Sequence, residues 1–331
     1  MRNLLRLSLA LVVAVGLVRP GIAADVNFYS SLTSEDNQAI IAGMKETMPD
    51  LTVNWVRGGG VGLFQRFVSE RSAGAAKIDL LHFSYAPGWY MLADEGWVDT
   101  EAAKRPEAAA FYDFAKDPGT GTVALRVSTL RIIYNKDKVK PADLPHSWHD
   151  LLDPRWRGRI VAADPFQAAG TWDFFWGAKG FGKDYITALA KNDVLIQSGM
   201  PGTVDAVARG ERDIGITFEY LAQQRIMQGA PIAFAPTADG VPVVPAPFGI
   251  VAGAPHRATA EKVFDFVISA PGQRIMVSRV GSYSGRRDVA PPAGFEPFEH
   301  MTLLQADWKR VFEEQDDYRD FMTRTLQNGR G

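Results

Sequence analysis

An alternation of apolar strands and amphipathic helices near the start of the chain constrains the fold most strongly. Residues 26–31 form a predicted buried strand, and apolar Ile40, Ile41, Met44 and Met48 follow at helical spacing. Residues 51–56 and 78–83 read as two further strands, with a helical pattern between them. This β-α-β-α-β order predicts an α/β fold with a mostly parallel sheet covered by helices.

The turn after the first predicted strand is rich in hydroxyl side chains. Thr33 and Asp36 fit the capping-box pattern at the start of the first helix. Such a turn offers backbone N–H groups and hydroxyls at the positive end of a helix, which suits a polar or anionic ligand. Alternatively, these residues only cap a helix in an ordinary strand–helix connection.

The predicted ends of the first three strands are all polar or rich in glycine. Ligands of open α/β sheets bind at the carboxyl ends of the strands. We therefore expect ligand contacts from these three turns, at Ser30, Ser31, Thr33, Arg57, Gly58 and Ser84.

Residues 1–23 have the pattern of a cleavable signal peptide. Arg2 and Arg6 lie before or beside an apolar run over 7–18, and small residues precede a cleavage site after Ala23 or Ala24. The run is short for a membrane span. The chain has no cysteine, which excludes disulfides, thiolate metal sites and a lipidated cysteine. We expect a soluble protein of the bacterial periplasm, not a lipoprotein.

Length and charge limit the domain count and the partners. With 331 residues the chain can form two domains. Loss of the leader's three arginines leaves 33 basic against 38 acidic residues. An acidic chain without a basic run argues against a nucleic-acid partner.

The middle of the chain predicts a second domain with its own strand ends. Residues 125–134 read as a long strand that leads into it, and this strand carries Arg126. Gly170-Thr171 opens a predicted helix, and Glu219-Tyr220 follows a strand over 213–218. Arg57 and Arg126 can neutralise an anionic ligand or form structural pairs.

Several short motifs, in this order and spacing, resemble the solute-binding proteins of bacterial ABC importers, specifically the ferric-binding and phosphorylated-solute group. They extend from residue 26 to about 289 and comprise Val26–Ser31, Arg57-Gly58-Gly59, Tyr134-Asn135-Lys136, Pro145 to Leu152, Gly170-Thr171, Gly210-Glu211, Pro247 to Val251 and Gly281 to Asp288.

The resemblance implies a two-lobe periplasmic binding protein fold of type 2, in which two crossing strands join the lobes. Residues 24–125 and 245–295 would form the first lobe and residues 126–244 the second. Residues 296–331 would form C-terminal helices that pack mostly on the second lobe.

The resemblance also allows the iron ligands of the ferric-binding members to be compared residue by residue. Their histidine position falls on Thr33, their glutamate position on Ser84 and their tyrosine pair on Glu219-Tyr220. Neutral hydroxyls and a single tyrosine suit ferric iron poorly. Iron held by Tyr220, Glu219 and an exogenous anion is the alternative interpretation.

The anion-holding element of the family falls on Ala169, Gly170 and Thr171. This match favours a small anionic organic solute, for example a phosphate or phosphonate ester. If that solute is zwitterionic, Glu219 can pair with its ammonium group.

We therefore expect a binding protein without a cofactor, acting as a monomer, that closes two lobes over its solute and delivers it to an inner-membrane permease. No G-x-S-x-G or H-E-x-x-H motif is present. A secreted phosphate-ester hydrolase is the alternative from another functional class.

Overall fold

The computed structural model describes residues 24–166 and 170–327. The predicted signal peptide and Ala169 lie outside the described residues. The strands are β1 (Ala24–Ser30), β2 (Leu51–Arg57), β3 (Leu80–His82), β4 (Lys116–Asp117), β5 (Thr122–Asn135), β6 (Ile160–Ala163), β7 (Leu195–Gln197), β8 (Ile214–Phe218), β9 (Ile232–Phe234), β10 (Val241–Ile250) and β11 (Leu303–Leu304).

The α-helices are α1 (Ser34–Thr47), α2 (Gly60–Ser72), α3 (Ala86–Asp94), α4 (Thr171–Gly177), α5 (Lys183–Ala190), α6 (Met200–Ala208), α7 (Glu219–Met227), α8 (Arg257–Ile268), α9 (Ala270–Ile275), α10 (Trp308–Glu313) and α11 (Gln315–Met322). Short 3-10 turns connect several of these elements, and π-helical turns follow α9 and α11. None of the helices in the described part of the chain is long and apolar enough to cross a bilayer.

The strands form one hydrogen-bonded series in the order β2-β1-β3-β10-β5-β8-β6-β7. At one end β1 pairs in parallel with β2 and β3, and at the other end β6 pairs in parallel with β7 and β8. Between these parallel groups, β10 and β5 run antiparallel to each other and to their outer neighbours. The predicted β-α-β-α-β start and its parallel sheet are confirmed.

The long strand β5 links the two parallel groups. Its first half, through Thr129, pairs with β10, and its second half, from Leu130, pairs with β8 and β9. The prolines of β10 lack a backbone N–H, and its register with β5 shifts between Ala246 and Pro247. These two strands connect the two parallel groups, and we propose that the molecule bends there.

Two large hydrophobic cores lie on either side of this connection. One contains residues of β1, α1, α8 and the first half of β5, and the other contains residues of β6, β8, α4 and the second half of β5. We propose that each core marks one lobe, divided near residue 126 and again near residue 245, as the sequence indicates.

The C-terminal helices join the second core and also reach the first lobe. Val311 and Tyr318 are buried in the core that contains α4, and Asp307 N donates to Gly177 O at 3.1 Å. On the other side, the ring of Phe312 stacks on that of Tyr90 in α3, with 5.7 Å between centroids. The C-terminal segment thus touches elements of both lobes.

Candidate functional site

The hydroxyl-rich turn after β1 bonds mainly to its own backbone. Thr33 Oγ1 accepts from Asp36 N at 3.1 Å, which confirms the predicted helix cap. Ser30 is fully buried, and its Oγ accepts from Leu32 N at 3.3 Å. The backbone N of Ser31 donates to His82 O at 3.0 Å. Ser31 and Thr33 are half-buried, so they remain the members of this turn that are open to a ligand.

Arg126 brings a positive charge to the place where β5 leaves the first lobe. The residue is 6% exposed, and its guanidinium carbon lies 4.4 Å from the centroid of the Tyr220 ring. Its Nε and Nη1 are buried, and neither has a hydrogen-bond partner in the described part of the chain. A buried guanidinium with unused donors is costly unless an acceptor meets it.

His82 lies beside this arginine and stays neutral. Its Nδ1 is 2.9 Å from Pro247 O, so Nδ1 carries the proton that the carbonyl accepts. Burial, together with the Arg126 charge, lowers the pKa of His82 to about 3. Its Nε2 is therefore a buried acceptor, for which residues 24–166 and 170–327 supply no hydrogen-bond partner.

The start of α1 adds two further buried acceptors. Asp36 Oδ2 and Asn37 Oδ1 also lack partners among the described residues. Burial raises the pKa of Tyr220, the Arg126 charge opposes this, and the Asp36 carboxylate adds to the rise. Charges from α1 and β5 therefore both act on Tyr220 at the start of α7.

Glu219 makes its side-chain hydrogen bonds to the crossing strand β5. Its Oε2 accepts from Thr129 N at 2.5 Å and from Thr129 Oγ1 at 3.1 Å, so it holds the crossing strand β5. Burial raises the pKa of Glu219 to about 7, although the Thr129 backbone N–H opposes this. Oε1 is buried without a partner in the described chain.

Gly170 and Thr171 open α4, as predicted, but their packing faces the core. Gly170 has φ +117°, and a Cβ there would lie 3.2 Å from the Phe218 ring. Thr171 is fully buried, and its hydroxyl lies 3.8 Å from Met200 Sδ. The Thr171 hydroxyl is therefore directed towards another side chain of the second core.

Arg57, Gly58 and Ser84 lie at the rim of the first lobe. Arg57 is exposed, and its Nε donates to Leu32 O at 3.1 Å. Gly58 N donates to Ser30 O at 3.4 Å. Ser84 is half-buried, and its backbone N faces the first residue of α2, Gly60.

A cavity of about 640 Å³ adjoins this rim and reaches the C-terminal helix. Its lining comes from the starts of α2 and α3, the turn after β6, α4, and α11 with the π-helical turn that follows it. The lining residues are Gly59, Val61, Gly62, Gln65, Tyr85, Pro87, Pro165, Phe166, Asp173, Gln315, Tyr318, Arg319, Asp320 and Thr323.

Asp173 is the most deeply buried charged group of this cavity. It is 2% exposed, and burial raises its pKa to about 6. Its Oδ2 and the phenol oxygen of Tyr318 have no hydrogen-bond partner within the described ranges. Burial, followed by the Asp173 charge, raises the pKa of Tyr85 to about 12, so this phenol is protonated at neutral pH.

A family model for bacterial extracellular solute-binding proteins matches residues 91–296. The chain belongs to this family. The match covers more than half of the chain and includes both crossing strands and all of the second lobe as we divide it. As a solute-binding protein of this kind, the chain is a component of an ABC importer.

The names of individual relatives indicate different solutes. This solute-binding protein is 28% identical over 282 residues to a putative 2-aminoethylphosphonate-binding periplasmic protein of Salmonella paratyphi A, covering 79% of each chain. It is 26% identical over 294 residues to iron uptake protein A1 of a Synechocystis strain, covering 80% of this chain and 76% of that one.

A solved relative confirms the fold. The periplasmic binding protein AfuA from Actinobacillus pleuropneumoniae, with exogenous fructose-6-phosphate bound, superposes with a TM-score of 0.80 at 19% identity, over 92% of this chain and 98% of that one. The two-lobe, type 2 periplasmic binding protein fold predicted from the sequence is thus confirmed. The family consists of binding proteins rather than enzymes, so it gives no support to the hydrolase alternative.

Several residues of this region were not singled out by the sequence. His82 lies in a predicted apolar strand and Asn37 follows a helix cap, so the sequence gives neither residue a functional signal. Both stand out only in the structure, where each has a buried polar atom without a partner among the described residues. Asp173, Tyr85 and Tyr318 come together from α4, the start of α3 and α11. No local pattern signals such an encounter between segments that are far apart in the chain.

Proposed function

We propose that this protein captures a small organic anion in the bacterial periplasm, for example a phosphate or phosphonate ester, and delivers it to the permease of its ABC importer. Arg126 is the anchor for the anionic group. The two lobes close over the solute by bending at β5 and β10, as in other domain-closure systems.

The observation that carries this proposal is the buried Arg126 guanidinium with two unused donor nitrogens. Anionic oxygens of a phosphate, phosphonate or carboxylate form charge-assisted hydrogen bonds with guanidinium and would remove the cost of burying it unpaired. His82 adds no competing charge because it is neutral. Its Nε2 can accept a hydrogen bond from a solute hydroxyl or a protonated oxygen.

The comparisons support the same class of solute. The Salmonella relative is named for an aminophosphonate, and AfuA was solved with a sugar phosphate. These are properties of those proteins, and they agree with the charge that Arg126 places between the lobes.

The test is a thermal-shift screen of phosphate esters, alkylphosphonates and carboxylates, followed by calorimetry on the compounds that stabilise the protein. We expect Arg126→Met to weaken binding at least about 30-fold, because losing one partner of a buried, charge-assisted contact costs about 2–5 kcal/mol. Arg57→Met is the matched control, since Arg57 is exposed and bonded to Leu32 O. Equal affinity in the Arg126 variant and the wild type would refute the anchor.

The alternative of ferric iron fits this geometry less well. The Arg126 guanidinium lies over the Tyr220 ring, which places a positive charge next to the phenol that would coordinate iron. Glu219 Oε2 is already bonded to Thr129. Adding ferric salt should therefore produce no visible charge-transfer band, and a band that is lost in Tyr220→Phe would favour iron instead.

A further inference from the structure

The cavity beneath the C-terminal helix combines polar groups from three separate parts of the chain. Tyr85 comes from the start of α3, Asp173 from α4, and Tyr318 from α11. The pKa of Tyr318 is raised well above its ordinary value by burial and then by Asp173, and Tyr85 contributes as well. These three side chains therefore form one cluster, which opens on a space of about 640 Å³.

Two buried oxygens of this cluster are unsatisfied. Asp173 is 2% exposed and Tyr318 is 5% exposed. Burial raises the pKa of the Asp173 carboxyl, and the Tyr318 phenol lies close enough to lower it in part. Neither Asp173 Oδ2 nor the phenol oxygen makes a hydrogen bond of normal geometry in the described ranges, although both residues line the cavity. A buried polar atom without a partner is unusual in a folded protein, and a bound molecule with hydrogen-bond donors would explain both atoms at once.

The charges around the cavity favour a cationic donor over a neutral one. The charged residues that line it within the described ranges are Asp173, Asp320 and Arg319. Two more carboxylates, Asp164 and Asp316, are close enough to influence the phenols of Tyr318 and Tyr85, respectively. Carboxylates therefore outnumber the single arginine, and a positive group entering the cavity would improve the balance.

We propose that Asp173 and Tyr318 bind a primary ammonium group of the solute, so that the C-terminal helix α11 forms part of the binding site. This inference rests on the proposed function, in which Arg126 holds the anionic end of the same solute. An ammonium group has three N–H donors, which can reach Asp173 Oδ2 and the phenol oxygens together.

Two other buried carboxylates compete for this role and fit it less well. Glu219 does not line the cavity, and its Oε2 accepts from Thr129, although its Oε1 has no partner in the described chain. The Asp36 charge acts on the Tyr220 phenol, and the Arg126 guanidinium lies over that same ring. A cation at Asp36 would therefore lie close to a positive charge, whereas the charged lining of the cavity at Asp173 is two carboxylates and one arginine.

The experiment compares three phosphonate series of matched chain length from two to five carbons: n-alkyl, ω-hydroxyalkyl and ω-aminoalkyl. Calorimetry at pH 7.5 gives Kd for each compound on the full mature protein. At one or more chain lengths we expect the amino compound to bind at least tenfold more tightly than both of its partners. Equal affinities across the three series, or a preference for the hydroxyl compound, would overturn the proposal.

Two variants test which residues cause the preference for the amino compound. Asp173→Asn should abolish the preference for the amine while leaving Kd for the alkylphosphonate within about threefold, and Tyr318→Phe should reduce it in part. Asp36→Asn is the matched control, because Asp36 is a buried carboxylate that does not line the cavity. A preference that survives Asp173→Asn, or that is lost in Asp36→Asn, would contradict the proposal.

The failure of this inference can be told apart from that of the proposed function. Binding that depends on Arg126 but does not distinguish amine from alkyl overturns the ammonium subsite alone. If no compound of the three series, no phosphate ester and no carboxylate binds, both proposals fail. Thermal unfolding of each variant checks that it is folded, and the wild-type comparison of the three series requires no variant.

Discussion

The second lobe buries two carboxylates in two different settings, one at the crossing strands and one at the cavity. Both Glu219 and Asp173 are almost fully buried, and burial raises the pKa of each, to about 7 and about 6. At the crossing strands, Glu219 accepts two hydrogen bonds from Thr129 of β5. At the cavity, Asp173 Oδ2 has no partner in the described chain.

The difference shows that a raised pKa does not by itself identify a binding residue. Desolvation acts on both carboxyls in the same direction, whatever their role. Each carboxylate keeps one buried oxygen without a partner in the described chain. What separates them is their position: Glu219 Oε2 is bonded to β5, whereas Asp173 lines the cavity. The sequence suggested Glu219 as the partner of a solute ammonium group, which stays a prediction, and we propose Asp173 for this role because it lines the cavity.

The largest effect that separates these two settings should be on stability. Glu219→Ala leaves the Thr129 N–H and hydroxyl without their acceptor in the interior, so we expect the free energy of unfolding to fall by about 2–4 kcal/mol. Asp173→Asn removes an unpaired buried charge, and we expect a change within about 1 kcal/mol. Urea unfolding at pH 7.5 without solute measures both.

The exposed Glu211, which pairs with Arg209 on the surface, provides the control. Glu211→Ala should change stability by no more than about 0.5–1 kcal/mol. If Asp173→Asn proved as destabilising as Glu219→Ala, Asp173 would have a structural role, and the contrast between the two settings would be lost.

A smaller effect should appear in the pH dependence of stability. The unfolded chain releases the Glu219 proton near pH 4.5, whereas the folded protein keeps it up to about pH 7. Between these values the folded state holds more protons, so its stability falls as pH rises. Glu219→Gln keeps an acceptor for Thr129 but cannot titrate, so it should remove about 1–3 kcal/mol of this decline.

His82 makes stability rise with pH, the opposite of Glu219, because its pKa of about 3 in the folded protein lies below the ordinary 6.5. Its stabilising contribution is present above pH 6.5 and is lost as pH falls towards 3. The informative quantity is therefore the difference between wild type and Glu219→Gln at each pH from 4.5 to 8. If the difference in the free energy of unfolding between wild type and Glu219→Gln were the same at every pH, Glu219 would have the same pKa in the folded and unfolded states.

The fold could be predicted from the sequence because its signals are local. Strand–helix alternation over the first sixty residues after the leader specifies parallel pairing, and the observed β1, β2 and β3 pair in parallel as that pattern requires. The long strand at 125–134 was also predictable, and the structure extends it to Thr122–Asn135. These elements depend mainly on residues close to one another in the chain.

The candidate site could be predicted only in part, because it depends on where side chains point after folding. Arg126 and Tyr220 were both expected near the solute, and they stack on each other. Tyr318 and Asp173 lie about 145 residues apart in the chain and meet through the packing of α11 on the second lobe. In the folded protein, Thr33, Glu219 and Thr171 make a helix cap, a strand contact and a core contact, and their contact with a solute stays a prediction.

The smallest effect should come from Thr171, two residues before Asp173 on the same helix. Residues two apart on a helix face different directions, and the Thr171 hydroxyl lies 3.8 Å from Met200 Sδ inside the core. Thr171→Val preserves the shape and removes only this weak contact, so we expect solute affinity within about twofold of the wild type. Calorimetry with the tightest-binding compound of the thermal-shift screen measures this, with Asp173→Asn as the comparison on the same helix. A tenfold loss of solute affinity in Thr171→Val would instead indicate that the anion binds at the start of α4. Thr171, rather than Arg126, would then be its anchor.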